Sequence, residues 1–129
     1  MIRPRVLVAE DTTISRRKIV ALLESLDCEV KEATDGEMAL LFSMGFLPHL
    51  IVLDLYMPKR NGIDVMEVLR SDPRFKTTTI VILTGEADKQ VVSQVINKGA
   101  DDYLLKSDSL ANLKVRLTKH LDAIRQQID

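Results

Sequence analysis

Short apolar runs alternate along this chain with stretches whose apolar residues recur at helical spacing. A first strand is predicted over about Arg5 to Glu10, around Val6-Leu7-Val8-Ala9. Ile19, Leu22, Leu23 and Leu26 then share one face of a helix. Cys28 to Ala33 alternates apolar and charged residues, which suits a strand with one exposed face or edge. Asp35-Gly36 turns the chain into a second helix, with Met38, Leu41 and Phe42 expected inward. Leu50 to Leu53 is continuously apolar, as a strand covered on both faces is. A third helix is expected from about Ile63 to Arg70, stopping before Pro73. Thr79 to Leu83 is β-branched and apolar, hence a fourth strand. Val92, Val95 and Ile96 mark a fourth helix ending at Gly99. Asp102 to Leu105 is a fifth strand. Leu110, Leu113, Leu117, Leu121, Ile124 and Ile128 then recur at three- and four-residue steps, one long last helix.

Strand and helix alternating five times imply an α/β fold, a parallel sheet covered by helices on both faces through right-handed crossovers. The first, third and fourth strands are the most apolar and should be central. The second and fifth carry more charge and should be edges. That agrees with strand order 2-1-3-4-5.

Composition narrows the class. A chain of 129 residues with 46% hydrophobic and 29% charged residues suggests one soluble globular domain. Eighteen basic and 19 acidic residues leave a formal net charge of −1, so no global field favours nucleic acid or an anionic membrane. The lone Cys28 excludes an intrachain disulfide and fits a reducing cytosol. Met1 to Arg5 contains no export-type apolar segment. The longest stretch without a formal charge, Met38 to Leu53, is shorter than the roughly 20 residues of a spanning helix. A cytoplasmic protein is expected.

The candidate chemistry sits where the apolar runs end: Glu10-Asp11, Asp54, Thr84 and Lys106. If the runs are parallel strands, these side chains meet at the carboxyl edge of the sheet, where open α/β sheets bind ligands. Each has an ordinary reading as well. Asp54 could simply begin a loop, and Asp11 could cap a helix starting near Thr12 or Thr13. Thr84 could be a plain β-branched strand residue, and Lys106 a solvated lysine. Three carboxylates facing one another repel unless a cation lies between them. Mg²⁺ is the natural candidate, because it prefers carboxylate, water and phosphate oxygens. A threonine hydroxyl and a lysine ammonium nearby suit a phosphoryl group. The chain contains no P-loop and no G-x-G-x-x-G segment for a nucleotide.

Taken jointly, these residues resemble the receiver domain of bacterial two-component response regulators, in its chemotaxis-type single-domain form. The markers are Glu10-Asp11, Asp54 with Met57-Pro58 and Gly62, Thr84-Gly85, Gly99-Ala100-Asp101-Asp102-Tyr103, and Lys106. The likeness covers about Arg5 to Leu121. It implies a flavodoxin-like three-layer sandwich: a five-stranded parallel sheet of order 2-1-3-4-5 with five helices. Residues 1–129 would form one receiver domain, with its core at about 5–121 and 122–129 extending the last helix.

The same resemblance implies that Asp54 accepts a phosphoryl group from a histidine kinase or histidine phosphotransfer protein. Mg²⁺, or Mn²⁺, would be held by Asp11, Asp54 and the backbone carbonyl of Tyr56, with Glu10 acting through water. Thr84 and Lys106 would bind the phosphoryl oxygens. Thr84 and Tyr103 would then form a switch, the ring filling the space the threonine vacates. The output would be a binding surface over the fourth helix, fifth strand and fifth helix, for a downstream protein or a second copy. Such a module catalyses only its own phosphorylation and dephosphorylation, and this one would bind neither nucleic acid by itself nor a membrane. The alternative is an aspartyl-phosphate phosphatase or phosphotransferase of haloacid-dehalogenase type. Those enzymes want a second aspartate two residues after the nucleophile, where this chain has Tyr56.

Some residues depart from the family pattern or invite a finer reading. Ser107 follows Lys106 where the family usually has proline in a cis peptide, and the Lys106–Ser107 bond is expected to stay cis. Tyr56 and Glu86 would flank the path of the hydrolytic water, with the Tyr56 ring shielding the acyl phosphate. Arg16-Arg17-Lys18 form a solvated face or meet an acidic kinase surface. The stripe on the last helix either packs on its own sheet or pairs with another copy.

Overall fold

A computed structural model describes residues 2–85 and 89–128. The elements in chain order are β1 (Arg5–Ala9), α1 (Thr13–Ser25), β2 (Glu29–Ala33), α2 (Gly36–Phe46), β3 (Leu50–Asp54), α3 (Gly62–Arg70), a 3₁₀ turn (Pro73–Phe75), β4 (Thr79–Thr84), α4 (Lys89–Asn97), β5 (Asp102–Leu105) and α5 (Leu110–Ile128). The strands pair in parallel in the order β2-β1-β3-β4-β5, the order the resemblance implies, with the apolar strands central and the more charged ones at the edges. β3 is buried along its whole length, whereas β2 is exposed at alternate positions and forms an edge.

Because successive strand side chains point to opposite faces, the apolar runs feed two separate cores. Val6, Val8, Leu50, Val52, Val81, Leu83 and Leu104 pack against Ile19 and Leu23 of α1 and Leu113, Leu117 and Leu121 of α5. Leu7, Ile51, Leu53, Ile80 and Ile82 pack against Ala39 of α2, Met66 and Leu69 of α3 and Val95 of α4. The α5 stripe therefore lies against the protein's own sheet.

α2 departs from expectation. Leu41 is 69% exposed, and the buried residues of the helix are Gly36, Ala39 and Ser43. Small side chains let this helix approach the sheet closely, which turns the larger Leu41 outward. Ser43 is accommodated because its Oγ donates to the Ala39 carbonyl at 2.7 Å.

Local chemistry sets the helix starts that frame the carboxyl edge. The Asp35 carboxylate accepts from the Met38 amide at 2.8 Å and caps α2. Asn61 caps α3 in the same way through the Asp64 amide at 2.9 Å. The loop between β3 and α3 then folds back onto its own strand end, with the Gly62 amide donating to the Leu55 carbonyl at 2.9 Å. A Cβ at Gly62 would lie 2.5 Å from the Asp54 carbonyl oxygen, so only glycine permits this approach.

Candidate functional site at the carboxyl edge

Asp54 ends β3 and Thr84 ends β4, while Glu10 and Lys106 directly follow β1 and β5. The register sets Asp54 beside Leu83 and Thr84 beside Leu105, so the strand ends stop at nearly one level. The Lys106 amide donates to the Thr84 carbonyl at 2.8 Å and extends the ladder by one residue. From there the lysine stem reaches across the sheet. Its Nζ lies 3.0 Å from Asp54 Oδ2 and 3.1 Å from Glu10 Oε1. One ammonium thus serves two carboxylates that lie 96 and 52 positions from it along the chain.

Glu10 is fully buried, Asp54 and Thr84 are nearly so, and Asp11 is exposed at the rim. Glu10 Oε1 also accepts from the Thr12 amide at 3.1 Å, closing the turn between β1 and α1. The N-cap of α1 is Thr12, so Asp11 is not spent as the helix cap. Asp54 Oδ1 accepts from the Tyr56 amide at 3.3 Å. Burial, reinforced by the neighbouring Glu10, pushes the Asp54 carboxyl up to about 7, and Lys106 opposes this without cancelling it. Burial also works against the Lys106 charge. Its contacts with Glu10 and Asp54 outweigh that and hold its pKa above the ordinary lysine value.

This pocket suits a divalent cation. One ligand atom from each of Glu10, Asp11 and Asp54 lies within 4.8 Å of the others. Glu10 Oε2 is buried and accepts no hydrogen bond, although Lys106 Nζ stands 2.8 Å away in ion-pair contact. That single ammonium leaves the cluster of acids short of positive charge, which is costly for buried carboxylates. One lysine cannot neutralise three ionised carboxylates, and a hard divalent ion with oxygen preference would.

Of the remaining sequence candidates, Thr84 is buried at the edge of this pocket. Tyr103 sits beside Ile82, on the sheet face that Thr84 shares, and packs partly buried against the α2–α4 core. Tyr56 is 67% exposed. Glu86 lies outside the described residues.

The structure corrects two further expectations. The Lys106–Ser107 bond is trans. A cis bond without proline costs about 2.5–4 kcal/mol, and the long lysine side chain already reaches both carboxylates from a trans backbone. Arg16 does not belong to a solvated basic face. Its side chain is 12% exposed and turns inward to Glu32 and to the Glu10 carbonyl. Sequence reading missed it because its partners lie on the preceding turn and on β2. The one available signal was Glu32, an acid near the carboxyl end of an edge strand.

Comparison with known proteins agrees with the geometry. The family model described as "Response regulator receiver domain" matches residues 6–118. The chain belongs to this family, the phosphoacceptor modules of two-component signalling, which are phosphorylated on an aspartate. It is 33% identical over 124 residues to the DNA-binding response regulator MtrA of Mycolicibacterium paratuberculosis, covering 93% of this chain and 54% of MtrA. The chain therefore spans about half the length of that relative. The chemotaxis response regulator CheY4 of Vibrio cholerae superposes with a TM-score of 0.87 at 26% identity, covering 93% of this chain and all of CheY4. The Mn²⁺-bound form of the response regulator Rcp1 superposes with a TM-score of 0.76 at 26% identity, covering 90% of each chain. Nothing in these comparisons supports an enzyme of haloacid-dehalogenase type.

Proposed function

We propose that Asp54 is the phosphoacceptor of this receiver domain and that its donor is the phosphohistidine of a histidine kinase or histidine phosphotransfer protein. A carboxylate oxygen of Asp54 attacks phosphorus as the phosphorus–nitrogen bond to the imidazole breaks. The product is an acyl phosphate on the protein. The observation that carries this reading is the Lys106 ammonium 3.0 Å from Asp54 and in contact with Glu10, beside a third carboxylate, Asp11, that it does not reach.

Asp11 and Asp54, with the Tyr56 carbonyl, would hold Mg²⁺ directly, and Glu10 would act through water. The ion, when bound, neutralises charge on the transferring phosphoryl group. Lys106 pairs with one phosphoryl oxygen and the Thr84 hydroxyl donates to another. Buried surroundings keep these contacts strong and limit competing water. Moving Thr84 toward the phosphoryl group opens space on the face it shares with Tyr103. The ring then turns inward and alters the surface of α4, β5 and α5, where a downstream protein or a second copy binds. No described helix is long and apolar enough to cross a membrane. We place the module in the cytoplasm, where ATP-dependent kinases supply the phosphohistidine, and assign it no turnover of a free substrate.

Incubation with Mg²⁺ and a small phosphodonor, followed by intact mass, tests the assignment. Wild type should gain one phosphoryl group, and Asp54→Asn should gain none. Equal labelling of the two proteins removes Asp54 from the role.

A further inference from the structure

We propose that Arg16 is a positioning residue for the acidic pocket, holding the turn that carries Glu10 and Asp11 at the geometry a divalent cation requires. This rests on the metal-dependent reading above. Arg16 lies in the first turn of α1, where its amide donates to the Thr12 carbonyl at 2.9 Å. Its Nη1 donates to the backbone carbonyl of Glu10 at 3.0 Å. Its Nε donates to Glu32 Oε1 on β2 at 2.9 Å. Arg17 holds the other oxygen of Glu32 at 2.5 Å. The Glu10 amide is itself tied to β2, donating to the Ala33 carbonyl at 3.1 Å.

The turn between β1 and α1 is thus anchored at both ends of the Glu10 peptide, and Arg16 joins it to the edge strand. The planar guanidinium suits this task, because two of its donors point in fixed directions. Arg16 bonds a backbone carbonyl rather than a pocket carboxylate, so its influence passes through the placement of Glu10 and Asp11. Partners of this kind, one step behind the ligands, commonly govern metal affinity.

The sign of the effect separates placement from simple charge. A cation near a metal site repels the metal, so removing a residue that acted only by charge would tighten binding. Removing a positioning residue weakens it. Here Glu32, shared with Arg17, offsets the Arg16 charge in part, and the two directed hydrogen bonds of Arg16 make placement dominate.

Mn²⁺ binding to the full chain, followed by electron paramagnetic resonance of the free ion, measures this directly. Wild type, Arg16→Ala, Arg16→Lys and Glu32→Gln are compared with Arg70→Ala, a destabilised control remote from the pocket. Circular dichroism melts define a temperature at which each protein is folded. Arg16→Ala should weaken Mn²⁺ binding about tenfold or more. Arg16→Lys, which keeps the charge but not the fork, should fall between it and wild type. Arg70→Ala should bind as wild type does. Unchanged or tighter binding by folded Arg16→Ala overturns the proposal, as does an equal loss in Arg70→Ala. If Arg16→Ala does not fold, wild-type affinity in both Arg16→Lys and Glu32→Gln overturns it. Failure of wild type to bind Mn²⁺ overturns the metal-dependent reading itself, and the role of Arg16 with it.

Discussion

Tyr56 lies two residues after Asp54, the proposed acceptor. Its amide donates to Asp54 Oδ1, while its side chain remains 67% exposed. With Asp54 as the proposed acceptor, a ring carried two residues away would obstruct the approach of water to an acyl phosphate. Tyr56→Ala should dephosphorylate faster than wild type. The decay of phosphorylated protein after removal of the phosphodonor measures this, and equal decay rates would exclude shielding. Asp54 itself was legible in the sequence, because an acid ending a fully apolar strand is a local signal. Its raised pKa was not legible, since it depends on Glu10 and on burial supplied by distant segments.

At the scale of elements, two side-chain clusters hold the second half of the sheet. Arg70, at the end of α3, donates to the carbonyls of Gly99, Phe75 and Thr78 at 3.0, 2.8 and 2.8 Å, and pairs with Asp101 at 2.9 Å. It ties the entries of β4 and β5 to α3. Arg70→Ala leaves several of these acceptors without a charged donor and should cost about 2–4 kcal/mol, read from urea denaturation. On the other face of the sheet, Asp102 of β5 bonds His120 at 2.9 Å and also Arg116, both on α5. Burial alone would raise the Asp102 carboxyl, but His120, Arg116 and the Tyr103 amide hold its pKa below the ordinary value of 3.8. The native state therefore binds fewer protons there than the unfolded chain, and stability rises with pH. The contribution is complete above the ordinary aspartate value and is lost as pH falls through the depressed one. Asp102→Asn should be destabilised near neutrality, with its melting temperature converging on that of wild type below about pH 4. A constant difference down to strongly acid pH would refute the linkage. These clusters were invisible in the sequence: the Arg70 contacts span 5 to 31 residues and join segments with no shared pattern.

Across the whole molecule, apolar burial and polar strain fall in different places. Two apolar cores close the sheet from both sides, and among the described residues the one buried side-chain oxygen without a hydrogen bond, Glu10 Oε2, lies in the acidic pocket. A ligand that binds only the folded state stabilises it by mass action. Mg²⁺ should therefore raise the melting temperature of wild type at pH 7 in a concentration-dependent way. Asp11→Asn should abolish most of that rise while leaving the metal-free protein folded, because Asp11 is exposed and caps no helix. Differential scanning calorimetry with and without Mg²⁺ reads this, and an equal rise in both proteins would take Asp11 out of the metal site.

The amino-acid sequence by itself determined the strands, their central or edge positions and the polar residue at each strand end. These follow from apolar continuity and alternation, which are properties of neighbouring residues. It left the inward face of α2, the trans Lys106–Ser107 bond and the direction of the Arg16 side chain undecided or misjudged. Those depend on how closely a helix can approach a sheet, how far a lysine must reach, and which acid stands on the adjoining strand. Tertiary structure alone placed one ammonium between Glu10 and Asp54, because only parallel pairing in register brings the ends of distant strands to a common edge.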